Sequence, residues 1–309
     1  MRRDGSAEFS SGIKRRDLLI ASGAAATCAA VSARAGASSA RARAKSGFAE
    51  VDGSRIYYEV HGSGNAGRPL VLLHGGMLAI DTAFGDDLLP RLSRWRHVVA
   101  IESQGHGHTP DRSTPITEEQ LARDVVGVLD TLKHRDVDIL GHSLGGTTAI
   151  ATAMRRPDLV NSIAVLSATR ATSGMRPEIL AMQADASKPP SPWLASILPT
   201  QQDFANWSAH YQRVAPNPAA FQTVMGKLHS WMAEWKGWSD DQLAQVKAPA
   251  LIAIGDSDFI LPGHAAETAS LLARGRFAVL PGTTHMGILR RGAWLEPMLR
   301  EQWARPAED

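Results

Sequence analysis

The run Gly141-His142-Ser143-Leu144-Gly145-Gly146 constrains this chain more than any other stretch, because it comes directly off the apolar segment Val137-Asp138-Ile139-Leu140. A serine with glycines two residues away on either side reads as a strand-to-helix turn that displays the hydroxyl. The glycines let neighbouring backbone pass close by, and the following helix points the positive end of its dipole at the reacting oxygen. Read blandly, the same residues are only a tight turn, and short patterns of this kind also arise by chance. The rest of the chain has to decide.

From Phe48 onward, apolar runs alternate with helix-like stretches, the pattern of a sheet covered by helices on both faces. Strands are expected at Ile56 to Val60, Leu70 to Leu73, Val98 to Glu102, Val137 to Gly141, Ile163 to Ser167, Ala250 to Gly255 and Phe277 to Leu280. The later ones read as continuous apolar runs of the kind buried on both faces. Thr117-Glu118-Glu119-Gln120 opens a helix that runs to Leu132 with a capping pattern, and Leu144 to Met154 forms the helix after the turn. Between about residues 170 and 247 the alternation breaks. That stretch is proline-rich early on and holds five of the eight tryptophans, Trp193, Trp207, Trp231, Trp235 and Trp238. We read it as a helical cap inserted between a first core segment, 48–169, and a second, 248–309.

At 309 residues, 44% hydrophobic and 21% charged, the chain can bury one large core, or one core with a smaller appendage. Its formal charge of +2 does not argue for a nucleic-acid partner. Residues 1–37 hold six basic and three acidic residues, which leaves 27 basic and 28 acidic in the remainder. Within that N-terminal stretch, Lys14-Arg15-Arg16-Asp17-Leu18-Leu19-Ile20 precedes a mildly apolar, alanine-rich run and then Ala35-Gly36-Ala37. The arrangement resembles a twin-arginine export signal, which implies a periplasmic or secreted protein. The apolar run is too short for a membrane span. Residues 38–47 read as a linker. Cys28 is the only cysteine, so removal of the signal leaves no disulfide and no thiolate metal site.

An activated serine needs a base within reach and a carboxylate to orient that base. The strand Ala250 to Ile254 is followed by Gly255-Asp256-Ser257-Asp258, with two candidate acids. Phe277 to Leu280 is followed by Pro281-Gly282-Thr283-Thr284-His285-Met286, with one candidate base. Together with His74-Gly75-Gly76 after Leu73, these motifs make the chain, from about Phe48 to its end, resemble an α/β-hydrolase. The resemblance implies a mostly parallel eight-stranded sheet flanked by helices, with Ser143 as nucleophile and His285 as base. It favours Asp258 over Asp256, since the family's acid usually follows three residues after the strand-ending glycine. The oxyanion donors it implies are the backbone N–H groups of Leu144 and Gly76, with Met77 a close alternative to Gly76.

A serine nucleophile argues against the family's dehalogenases and epoxide hydrolases, which carry aspartate at that position. The expected reaction is hydrolysis of a carboxylic ester or lactone through an acyl-enzyme. Carbon-carbon bond hydrolases, amidases and perhydrolases share the triad and stay open as alternatives, as does a non-catalytic binding protein on the same scaffold. No phosphate loop or dinucleotide fingerprint is evident, so no cofactor is expected. His106-Gly107-His108 has a spacing found in metal sites, but no acid or cysteine cluster completes a coordination sphere, and no metal is expected. Trp231, Trp235 and Trp238 recur at i, i+4 and i+7, which would place them on one helical face. With Met77, Trp193 and Trp207, Trp231 is a candidate to touch a small-molecule substrate that has an apolar portion. Oligomeric state is not legible.

Overall fold

The computed structural model describes residues 44–185 and 187–304. The export signal expected over 1–37 lies outside the described residues, as does most of the linker expected over 38–47. The strands are β1 (Lys45–Val51), β2 (Ser54–His61), β3 (Leu70–Leu73), β4 (Val98–Ile101), β5 (Val137–His142), β6 (Val160–Leu166), β7 (Ala250–Gly255) and β8 (Gly275–Leu280). They form one sheet in the order β1-β2-β4-β3-β5-β6-β7-β8. β2 runs antiparallel to β1 and β4, and every pairing from β4 to β8 is parallel.

Every residue of β3, β4, β5 and β7 is buried, because helices cover both faces. The two-residue period of a strand divides their side chains between two cores. Leu70 and Leu72 pack with residues of α1 (Ile80–Phe84), α2 (Leu88–Leu92) and α11 (Gly292–Ala304). Val71 and Leu73 face the other way, onto α3 (Glu118–Thr131), α4 (Leu144–Arg155) and α10 (Pro262–Leu271). The capping pattern places the start of α3 as expected, with the Thr117 hydroxyl accepting from the Gln120 amide.

Both sheet edges depart from the sequence reading. β1 begins at Lys45, so residues 45–47 are strand rather than linker. Only Ala49 and Val51 of β1 are buried, so this edge strand lacks the apolar run that would betray it. At the other edge, β8 leaves Phe277 39% and Val279 43% exposed, so its apolar run is not buried on both faces.

Between β6 and β7 the chain leaves the sheet and builds the cap from α5 (Pro177–Ala184), α6 (Pro192–Ile197), α7 (Gln201–Val214), α8 (Phe221–Glu234) and α9 (Asp240–Ala244). Its helices bury little: α5 buries no residue and α8 only Val224 and Leu228. The tryptophan spacing misled in one respect. α8 ends at Glu234, and Gly237, at φ 83°, turns the chain so that the Trp238 amide donates to the Arg170 carbonyl at 3.0 Å. Trp231 and Trp235 therefore stack with ring centres 5.1 Å apart, while Trp238 meets Trp235 edge-on and belongs to the core.

Candidate active site

Ser143 sits between the end of β5 and the start of α4 with φ 53° and ψ −120°, a backbone conformation that side-chain-bearing residues rarely hold. Two glycines make the turn possible by closeness rather than by torsion. A Cβ on Gly141 would lie 2.1 Å from the Gly145 carbonyl oxygen, and one on Gly145 would lie 2.1 Å from that of Leu73. The turn is thereby pressed against the exit of β3, where His74-Gly75-Gly76 begins. The Ser143 amide is anchored to the Leu166 carbonyl at 2.9 Å.

That proximity brings two backbone donors beside the serine. The Leu144 and Gly76 amides donate to no protein acceptor among the described residues, whereas the Met77 amide is already given to His106 Nε2 at 3.0 Å. That bond spends the Met77 amide and leaves unspent that of Gly76, the donor the resemblance favours. His106 Nδ1 pairs with the Gln104 carbonyl at 2.8 Å, which leaves Nε2 as the acceptor. His74 repeats the scheme, pairing Nδ1 with the Gly75 carbonyl and accepting from the Ser103 amide through Nε2. Burial pushes both imidazoles below their ordinary pKa, His74 to about 3, so they brace the loop as neutral rings. His106 is thus spent on loop geometry. His108 pairs with Glu102 at 3.1 Å, and no cluster of three metal-ligating side chains occurs among the described residues.

On the opposite side, His285 Nδ1 lies 2.9 Å from Asp258 Oδ1, and Asp258 is fully buried. Burial alone would raise that carboxyl. The neighbouring His285, their hydrogen bond and the Ile260 amide donating to Oδ1 at 2.9 Å outweigh burial and hold it below the usual carboxylate range. Asp256 is exposed and points away, its carboxylate accepting from the Gly282 and Thr283 amides at 2.9 and 3.1 Å. It caps the loop that carries His285, while Asp258 touches the histidine itself.

Two supports of His285 were not read from sequence. Phe259 stacks on its ring with centres 3.9 Å apart, and His142 Nε2 pairs with its backbone carbonyl at 3.0 Å. Burial lowers His142 to about pKa 3, so it acts as a fixed neutral donor to that carbonyl. No hydrogen bond yet joins His285 Nε2 to Ser143 Oγ, a contact that commonly tightens only with substrate present.

A family model described as the alpha/beta hydrolase family matches residues 70–296, which takes in β3, the turn at Ser143, the cap and both loops after β7 and β8. The chain belongs to that family. It is 26% identical over 247 residues to the human serine hydrolase BPHL, an alignment covering 76% of this chain and 78% of that one. Identity to the 2-(acetamidomethylene)succinate hydrolase of Mesorhizobium japonicum is 25% over 253 residues, covering 76% and 87%. In fold it is similar to Est816, described as an N-acyl homoserine lactone degrading enzyme. That match has a TM-score of 0.64 at 23% identity and covers 82% of this chain and 99% of that one.

In this alpha/beta hydrolase a cavity of about 290 Å³ lies between the sheet edge and the cap, with Ser143, His285, Gly76 and Leu144 in its wall. Of the cap and loop candidates, Met77, Trp207 and Trp231 line it. Trp193 does not. It is 46% exposed, with the Arg176 guanidinium 4.3 Å from its ring centre, because α6 turns that side of itself to the surface. The sequence reading missed Met225, Leu228 and Met232, although their i, i+3, i+7 spacing on α8 is a legible stripe.

The cap is stitched to the loops of the site at a few points. Met175 pairs with Ile260 in an isolated antiparallel bridge, and Arg176 Nε donates to the Asp258 carbonyl at 2.8 Å. On the other flank, Glu118 accepts from the indoles of Trp231 and Trp235 at 3.2 and 2.6 Å. Lys227 of α8 pairs with Asp111 at 2.6 Å.

Proposed function

We propose that this protein is a serine hydrolase that cleaves a carboxylic ester or lactone through an acyl-enzyme on Ser143. The observation that carries the reading is the convergence, in one apolar cavity, of a strained serine, two unspent backbone donors and a histidine paired with a buried carboxylate. Ser143 Oγ attacks the carbonyl carbon while His285 Nε2 takes its proton. The carbonyl oxygen, now negative, is held by the Leu144 and Gly76 amides, each such donor being worth about 3 kcal/mol of barrier. Collapse breaks the bond to the leaving oxygen, which receives the proton from His285. Water then attacks the acyl group, giving its proton to the same nitrogen, and His285 returns that proton to Ser143 Oγ as it departs and the acid is released. Asp258 holds the imidazole with Nδ1–H toward itself throughout.

An alkoxide leaving group needs one proton, which His285 supplies. His285 would protonate a leaving amine in the same way, so the choice of ester or lactone over amide rests on the substrates the protein turns over. Matched p-nitrophenyl esters, lactones and anilides test this. The oxygen substrates are expected to exceed the anilides by at least about 100-fold in kcat/KM, and a preference for anilides would overturn the reading. We also propose that residues 1–37 direct export by the twin-arginine route. Replacing Arg15 and Arg16 by lysine should leave the protein in the cytoplasm, and unchanged export would refute that.

A further inference from the structure

The cavity over Ser143 carries no Asp, Glu, Lys or Arg side chain among its described lining residues. Its walls are methionine, leucine and aromatic side chains, and five of the nine methionines of the chain reach it: Met77, Met175, Met225, Met232 and Met286. Such a wall reshapes itself around varied apolar groups. Its polar side chains besides Ser143, His142 and His285 are Thr147, Thr169 and His229, and it holds no guanidinium or ammonium group among the described residues. The fixed charges that reach the wall from behind are both carboxylates, Asp258 against His285 and Glu118 against the Trp231 indole. The nearby cations are committed elsewhere, Arg176 to the Asp258 carbonyl and the face of Trp193, Lys227 to Asp111 and the Arg112 carbonyl.

From this we infer a charge rule for the substrate, resting on the ester or lactone reading above. The cavity takes substrates that are uncharged on both sides of the scissile carbonyl and rejects those bearing a carboxylate. A carboxylate placed there loses its water, gains no guanidinium or ammonium partner and meets two negative groups through the wall, a cost that apolar contacts and the few polar groups of the lining do not offset. The rule separates this chain from its relative named for a succinate, an acid-bearing compound by that name. It also predicts tolerance in chain length, because the flexible methionines set the shape.

Three p-nitrophenyl esters of equal reach test the rule on the wild-type protein: the hexanoate, the adipate monoester with a free carboxylate, and the same adipate capped as its methyl ester. The hexanoate is expected to exceed the free acid by about 100-fold in kcat/KM at pH 7.5. Capping should bring the rate back to within tenfold of the hexanoate, which assigns the loss to charge rather than length. A free acid hydrolysed within tenfold of the hexanoate would overturn the charge rule, as would a methyl-capped ester as slow as the acid. Failure to hydrolyse any of the three, in a folded protein whose Ser143 resists an uncharged fluorophosphonate, would instead overturn the serine hydrolase reading beneath it.

Discussion

The sheet edge that carries Ser143 and the cap that covers it are held in place by opposite means. At the edge, backbone touches backbone. Glycines at 141 and 145 leave no room for a single carbon, and buried neutral histidines fix neighbouring loops, His74 and His106 through both ring nitrogens and His142 through one. In the cap, α5 buries nothing and α8 buries two side chains, Val224 and Leu228, against Ile116, Leu121 and Leu144, and polar contacts such as Glu118 with its two indoles complete the attachment. The chemistry is therefore over-determined by packing, whereas selectivity is entrusted to flexible side chains on lightly packed helices. The contrast matches what each part is asked to do. Oxyanion donors must be held to a fraction of an ångström, while an apolar wall must accommodate shape.

The comparison can be broken most forcefully at the acid. Asp258→Asn should lower kcat by about 10⁴-fold, since the amide no longer holds the productive tautomer. Asp256→Asn should change it by less than about threefold, because that carboxylate only caps the loop. The reverse ranking, measured with one ester, would reassign the acid. Gly145→Ala is expected to destabilise the fold by about 3 kcal/mol or more in urea titration, as the new carbon must displace the Leu73 carbonyl. A loss below about 1 kcal/mol would show the edge to be softer than described.

Acid should weaken the same region. His74 and His142 have folded pKa values near 3, against about 6.5 in the unfolded chain, so unfolding takes up protons as pH falls through that window. Stability is unaffected above pH 6.5. It then declines by up to about 1.4 kcal/mol per pH unit for each ring, until the folded rings themselves protonate near pH 3. Urea titrations at pH 7.0 and 5.0 measure the loss, and equal midpoints would contradict the buried neutral rings. The smallest effect belongs to the cap. Gly226, inside α8, has open space where a Cβ would go, so Gly226→Ala should stabilise the protein by up to about 1 kcal/mol. Destabilisation there would show the cap to be packed as tightly as the edge.

The same division explains what could be read from sequence. The turn at Ser143, the loop after β3 and the loops after β7 and β8 are local motifs, so their residues announce themselves in order. Asp258 and Asp256 could be ranked but not separated until burial and hydrogen bonds told them apart, and Gly76, already preferred to Met77, gained a physical reason only with the His106 bond. His142 and Phe259 were hidden because their work lies across space: His142 reaches a carbonyl 143 residues away, and Phe259 folds back onto the ring it stacks against. The edge strand β1 escaped because an exposed strand carries no apolar run. In the cap, spacing suggested one tryptophan face, yet a single turn at Gly237 ended it. Trp193 could not be told from Trp207 without knowing which way α6 and α7 face.

Covalent labelling tests the central claim most directly. The wild-type protein is titrated with an uncharged fluorophosphonate, residual ester hydrolysis is followed, and the modified peptide is located by mass spectrometry. One equivalent should attach to Ser143, activity should vanish in parallel, and Ser143→Ala should take up no label and turn over ester about 10⁶-fold more slowly. Activity that persists with Ser143 fully modified, or inactivation that maps to another residue, would contradict the account.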